Sequence, residues 1–562
     1  MFCPTSIIGL RFGKEGLYCL LYEQPKNKNT YPLCKQHTHY IMPRENCEMF
    51  KTSFNRILER KTTKADLPYV ASLSFEDLEK PKEVIVGKPI QCQKCGGVLT
   101  DPSSVIKDPK LGTHFKCVFC GAINVVDPKD LPAHLIDDVD FIIEEAMEIK
   151  TTKPELTGDN IVAVIDVSGS MAGGKIEAVK RSLIETIKDL KVNTPQSRFG
   201  LIAFESSVYL IDFKGGNILT VSGDDLYSQE KIAERFSHAK YDFEPVEKTA
   251  NKWIETVSKL KSMDMTALGP GLLGGYTLLK MRGGGRLLLL TDGLANTGFG
   301  TLEGPSAAGK NFYKEAAGSC NLGNIIVDVV GVREQSTESQ LALKTLGNLA
   351  LETGGDIYYV TMEEIEKTFA DIRGKGYIAR NVEVKMFAPP VLKLVDATGT
   401  ASETLKPEEP IRLGGVTADR EVYFEMESAK EINEDEVPIQ AQIQYTDAEG
   451  KKHLRVISKK FQKAKNEEEY VKTYEPEISG AMRVQQAGRA AYQGKEDKAK
   501  EIIAGYQNQI ARATMASPKV ASVNKALTVE LNELMSRKRS SEDEAAVGSA
   551  KQMRKTKKEL FE

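Results

Sequence analysis

Three separated stretches carry small, oxygen-bearing side chains of the kind that hold a hard cation. In residues 160–171, NIVAVIDVSGSM, five apolar residues lead into Asp166, Ser168 and Ser170, spaced by two. Thr266 lies about a hundred residues on, in MDMTALGPGL, and Asp292 follows the apolar run 287–290 in LLLLTDG. Both apolar runs read as strands buried on two faces. In an open parallel sheet the carboxyl ends of strands share one edge, and ligands bind there. Carboxylate, hydroxyl and water oxygens suit Mg²⁺ or Mn²⁺, which keep positions for water or a ligand. D-x-S-x-S alone is weak, because Asp, Gly and Ser are ordinary turn residues. The bland alternative is a βαβ fold with serine caps; the two partner stretches weigh against it.

A second metal chemistry is written in cysteine. Cys92 and Cys95, then Cys117 and Cys120, form two C-x-x-C pairs 21 residues apart, each followed by glycine. Four thiolates close a tetrahedron around zinc and leave no open position, so this Zn²⁺ is expected to be structural. Redox work is the weaker alternative, since such motifs seldom come as two spaced pairs. Cys34, His37, His39 and Cys47 raise the question of a further metal, in a spacing uncommon for closed sites. GSMAGGK, 169–175, fits most of a phosphate-binding loop, but Ile176 stands where the Ser or Thr belongs.

These groups need elements to position them. Residues 175–190 put Ile176, Val179, Leu183, Ile187 and Leu190 on one helical stripe, and 199–204 reads as the next buried strand. A strand at 325–332, a helix from about Thr337, a strand at 356–360 and a helix at 362–372 continue the alternation. That pattern predicts a doubly wound α/β sheet over 157–377, with a polar insertion, 214–248, where partner choice would be encoded if it borders the metal edge.

Before this trunk, residues 1–90 are strand-rich, with strands at 7–10 and 17–22 and a short helix at 48–60 carrying Phe54 and Ile57 on one face. The ribbon spans 91–126, and 127–156 reads as a linker with an acidic stretch, 137–148. Period-two alternation at Val382, Val384 and Met386, and again from Val437 to Tyr445, predicts a β-sandwich over 378–462 that is too short by itself for a full two-sheet module. Residues 463–535 read as helices broken near Gly494 and Pro518, with Ala487, Ala490, Ala491 and Tyr492 for close packing. The tail, 536–562, reads as a disordered basic end. Its Arg537, Lys538, Arg539 and Arg554, Lys555, Lys557, Lys558 leave an import signal open.

Asp166, Ser168, Ser170, Thr266 and Asp292 resemble the complete metal-ion-dependent adhesion site of a von Willebrand factor A domain. That resemblance implies an exposed Mg²⁺ completed by an acidic side chain of a partner protein. Asp264 departs from it, standing where many members carry glycine. HFKCVFCGAIN, 114–124, is similar to the zinc finger of the COPII inner-coat subunits of the Sec family, and the order of parts agrees; that resemblance implies that the strands of 1–90 complete the β-sandwich. What the resemblance implies stops short of GTPase activation, which in that family depends on an arginine from a gelsolin-like domain beyond the last residue here. The coat subunits generally lack the intact metal site.

Lys plus Arg is 76 against 79 for Asp plus Glu, a formal charge of −3, so no global field draws the chain to nucleic acid or an anionic membrane. No apolar run reaches spanning length, the first residues lack the pattern of a secretory signal, and nine cysteines fit reduced thiols. The expected setting is cytoplasmic, peripheral to endomembranes or nuclear. The expected role is a non-enzymatic adaptor or scaffold binding acidic partners, with coat or complex subunits as further partners. Three alternatives stand beside it: a coat component with an inactive metal site, a nuclear transcription or repair subunit, and a metal-dependent hydrolase. Only His238 of six histidines lies in the trunk, which weighs against the last.

Overall fold

The computed structural model describes residues 8–13, 16–21, 49–63, 66–101, 104–131, 137–144, 160–262, 265–302, 307–333, 342–398, 409–513, 518–537 and 541–561. Residues 1–47 form one compact unit and 48–562 another. In the first, Ile8–Gly13 and Gly16–Leu21 pair as an antiparallel hairpin. Cys34, His37, His39 and Cys47 lie outside the described residues.

The trunk is a seven-stranded sheet. Its order is Asn217–Val221, Val208–Ile211, Arg198–Phe204, Asn160–Asp166, Gly285–Thr291, Ile325–Arg333, Ile357–Thr361. The last five run parallel; the first two are an antiparallel extension. From Asn160–Asp166 the chain builds outward to one side and then returns to add Gly285–Thr291 on the other. The strand order therefore reverses between the strand that ends in Asp166 and the one that precedes Asp292. Central residues such as Val162, Val164, Leu287 and Leu289 are fully buried, as uninterrupted apolar runs between two helical layers should be. Helix Gly174–Asn193 buries Ile176, Val179, Leu183, Ile187 and Leu190. On helix Leu268–Lys280 a Cβ at Gly275 would come within 2.7 Å of Val164, so only glycine lets this helix lie so close to the sheet.

The second half is a sandwich. One sheet runs Ile411–Thr417, Tyr377–Phe387, Glu436–Thr446, Lys452–Lys463, Asp138–Glu144, Glu83–Val86, with Arg56–Ile57 beside Lys452–Lys463. The other runs Leu392–Ala397, Glu421–Ser428, Tyr69–Ser74, Phe50–Thr52. N-terminal strands thus pair with strands more than three hundred residues later.

Two expectations need correction here. The helix expected at 48–60 is instead the strands Phe50–Thr52 and Arg56–Ile57, and Phe54 stacks on Tyr470 at 3.8 Å. Long-range aromatic contact and sheet pairing override a weak local periodicity. Part of the expected linker, Asp138–Glu144, is an interior strand between Lys452–Lys463 and Glu83–Val86. Its acidic residues are tolerated because cations meet them: Arg455 donates from Nε to Asp138 Oδ1 at 2.7 Å and from Nη2 to Oδ2 at 3.0 Å.

Helices Glu467–Lys472, Pro476–Tyr492, Glu496–Ala513 and Pro518–Arg537 follow. Gly494, at φ 80°, separates the second from the third, and Pro518 opens the fourth. Ile478, Ala481 and Met482 pack with Val70 and Tyr423 of the sandwich. The tail is not the expected disordered end: Glu542–Gln552 and Lys557–Phe561 are helices, the first opened by a Ser541/Glu544 capping box. Ala546, Val547, Ala550 and Met553 belong to the trunk's apolar core. Three of its basic residues meet carboxylates within the fold, Arg537 with Glu533, Arg554 with Asp356 and Lys555 with Glu530. A small-residue face and partly buried ion pairs replace the long apolar stripe whose absence suggested disorder.

Candidate metal centre

Asp166 ends its strand and Asp292 follows the adjacent parallel one, with Ile165 opposite Leu290. The two carboxylates therefore emerge side by side at the reversal point. Ser168 N donates to Asp166 Oδ1 at 2.9 Å, and Thr291 Oγ1 donates to Oδ2 at 2.6 Å. Ser168 and Ser170 hydroxyls lie 3.0 Å apart, and Ser170 Oγ donates to Asp292 Oδ1 at 2.6 Å. Thr266 is held from behind: its N–H donates to Asn296 Oδ1 at 3.0 Å, and its carbonyl accepts from Asn296 N at 3.2 Å. A Cβ on Gly293 would stand 3.6 Å from Thr266 Oγ1, which sets that hydroxyl beside the Asp292 loop. The fold brings all five predicted residues to one edge. Asp264 lies outside the described residues.

The cradle is buried on the protein side and open at its rim. Asp166, Ser168, Thr266 and Asp292 are buried, while Ser170 is exposed. Burial pushes the Asp166 carboxyl up to about 6, and the nearby Asp292 charge adds to the rise. Two buried carboxylates and three hydroxyls fit a hard divalent cation, whose charge would offset that cost. Lys175 also reaches this site: Nζ donates to Asp292 Oδ2 at 2.6 Å and to the Ser170 carbonyl at 3.1 Å. Sequence reading missed Thr291, Asn296 and this contact. Only Thr291, directly before Asp292 in the strand-end TDG, gave a local signal.

The insertion borders this edge. It holds the strand Asn217–Val221, the turn Gly223–Tyr227 and the helix Gln229–Ser237. Phe299 N, in the loop after Asp292, donates to Leu226 O at 3.0 Å, and Tyr227 beside it is 65% exposed.

The second metal group is the four cysteines. Cys92 and Cys120 Sγ are 3.5 Å apart, Cys95 and Cys117 3.6 Å, and all four sulfurs lie within 4.8 Å of one another. Zinc–sulfur bonds of ~2.3 Å give a tetrahedral edge of ~3.8 Å, so the set fits Zn²⁺. Gly96 and Gly121, at φ 82° and 73°, close each knuckle, their N–H groups donating to Cys92 O and Cys117 O. Burial works to raise the Cys92 thiol, but N–H groups of Cys95 and Lys94 and the Asn124 amide bring it down to about 6. The ribbon is then clamped to the sandwich: Gln440 exchanges two 2.9 Å hydrogen bonds with the backbone of Val98, and Gln442 donates to Gly96 O.

Comparison with known proteins follows the same division. Residues 160–373 match the von Willebrand factor type A domain. The human COPII-coat protein Sec24c superposes with a TM-score of 0.66 at 15% identity, over 91% of this chain and 74% of that one. This chain carries a von Willebrand factor type A domain within a Sec24-like fold. A Dictyostelium discoideum protein, circularly permutated Ras protein 1, is 23% identical over 431 residues, 70% of this chain and 50% of its own length. The protein transport protein SEC24 of Scheffersomyces stipitis is 21% identical over 454 residues, 70% of this chain and 46% of its own. The chain thus spans about half the length of these two relatives. Among the described residues, no helix is long and apolar enough to cross a membrane.

Proposed function

We propose that this chain is an adaptor or scaffold subunit of a COPII-like vesicle coat. Its A domain captures an acidic side chain of a partner protein through Mg²⁺ or Mn²⁺ at Asp166, Ser168, Ser170, Thr266 and Asp292. The observation that carries this reading is the meeting of those five side chains, from three separated loops, at the open edge of a Sec24-like scaffold. A hard cation held mostly from one side keeps a coordination position for a ligand, and a carboxylate is the natural occupant. The insertion around Leu226 and Tyr227 would select the partner. Zinc at Cys92, Cys95, Cys117 and Cys120 is structural, and the chain works at the cytoplasmic face of endomembranes without catalysing a reaction.

The test is affinity capture by the full chain from a cytosolic and membrane extract. EDTA, or Asp166→Ala, is expected to remove a specific partner, and Mg²⁺ added back with Zn²⁺ to restore it in the wild type, while Zn²⁺ alone does not. Capture indifferent to both treatments rejects the metal-mediated reading. A second reading, a coat scaffold whose metal site is closed, is favoured by one observation, the Lys175–Asp292 contact. Uptake of Mn²⁺ by the purified chain separates the two.

A further inference from the structure

Lys175 belongs to GSMAGGK, the segment that mimics a phosphate loop, and no role in that chemistry remains for it. It sits in the first turn of helix Gly174–Asn193, where the positive end of the helix macrodipole disfavours a cation. Its ammonium nevertheless turns into the cradle. Nζ lies 2.6 Å from Asp292 Oδ2 and 3.1 Å from the Ser170 carbonyl, with the lysine side chain 12% exposed and that of Asp292 fully buried. The other Asp292 oxygen, Oδ1, accepts from Ser170. Both oxygens of one predicted ligand are thus engaged from within the chain, one of them by a full positive charge.

We propose that Lys175 is a tethered ammonium that competes with the divalent ion for Asp292 and so sets the metal affinity of the cradle. This inference rests on the metal reading of the site given above. A doubly charged ion among Asp166, Asp292 and the hydroxyls would face the ammonium at short range, in a buried setting where like charges repel strongly. Lysine's flexible four-carbon stem lets Nζ leave without moving the helix. Metal entry then expels Lys175 to the rim, and metal loss lets it return to neutralise Asp292. The two cations are alternatives, and the buried carboxylate is never left without one.

The full wild-type chain, Lys175→Met and Lys175→Arg are titrated with Mn²⁺ alone, free Mn²⁺ being read by electron paramagnetic resonance. Methionine keeps the length of the stem and removes the charge. Its affinity is expected to rise roughly tenfold or more, the scale of one well-formed ion pair, while Lys175→Arg does not exceed the wild type. In the native chain, acylation of Lys175 by an N-hydroxysuccinimide ester, read by peptide mass spectrometry, is expected to increase when Mn²⁺ is added. Equal or weaker binding by Lys175→Met, or labelling that Mn²⁺ leaves unchanged or suppresses, overturns the inference. If the wild type binds Mn²⁺ and Lys175→Met binds no tighter, the lysine proposal falls and the metal site stands. If neither chain binds, both fall, because removing the ammonium does not open the cradle to the ion.

Discussion

At Asn124 one side chain ties the two cysteine knuckles together. Its Oδ1 accepts from Gln93 N at 2.9 Å, and its Nδ2 donates to Ala122 O at 3.0 Å and to Cys92 Sγ at 3.5 Å. Asn124→Ala should cost on the order of 1 kcal/mol by removing its part-buried hydrogen bonds with the Gln93 N–H and the Ala122 carbonyl. It should also hasten zinc loss to a chromogenic chelator; release at the wild-type rate would count against this role. His453 supplies a pH-dependent counterpart. Its Nδ1 lies 2.7 Å from Asp140 Oδ2, its Nε2 2.9 Å from Asp447 Oδ2, and its ring stacks on Tyr445. Burial works against the imidazolium, but the two carboxylates outweigh it and the pKa is raised above 6.5. The fold therefore prefers the charged form. Its contribution is fully present below the unfolded value of 6.5 and is lost as pH rises through the higher folded value. Urea unfolding across that range should show stability falling with pH in the wild type, and a flatter profile in His453→Gln. Identical profiles would remove His453 as the cause.

At the scale of elements, the informative cases are strands whose polar residues face protein rather than water. In Glu436–Thr446, the apolar positions Val437, Ile439, Ala441, Ile443 and Tyr445 were legible as a buried face, yet Gln440 and Gln442 are buried as well. The zinc ribbon covers that side. An alternating strand announces one buried face, and nothing in its own sequence says what lies on the other. Asp138–Glu144 hid itself more thoroughly, because an acidic segment reads as solvated until its counter-ions are known. Arg455, with 1% of its side chain exposed, holds Asp138 and also donates from Nη1 to the carbonyls of Asp77 and Leu78. Arg455→Met should cost about 3–5 kcal/mol, since it leaves Asp138 buried without its partner. The same change combined with Asp138→Leu should recover much of that loss in thermal unfolding, and no recovery would show that the carbonyl contacts dominate.

For the molecule as a whole, the last helices close the structure on a domain two hundred residues earlier in sequence. Asp543 Oδ1 accepts from Leu343 N at 2.7 Å, and Arg333 donates to Glu544 Oε1 at 2.5 Å. Tyr492 reaches into the same region, its hydroxyl donating to Lys344 O at 2.8 Å. Removal of residues 541–561 should therefore destabilise the A domain itself, because Ala546, Val547, Ala550 and Met553 leave its core. Limited proteolysis should then cut within 342–361; protection equal to that of the full chain would mean the tail is dispensable. The sequence alone determined what carries its own pattern: the doubly wound trunk from its alternating apolar periods, the cysteine spacing, and the position of the five candidate residues at or between strand ends. Tertiary structure decided whatever depends on a partner distant in the chain. It turned an acidic linker into an interior strand by setting Arg455 and His453 beside it, and a basic tail into packed helices by opposing it with carboxylates. It also aimed Lys175 at Asp292, which a helix-start lysine does not announce. Periodicity reports which face of an element avoids water, whereas the energy of a buried charge is set by what the fold places against it.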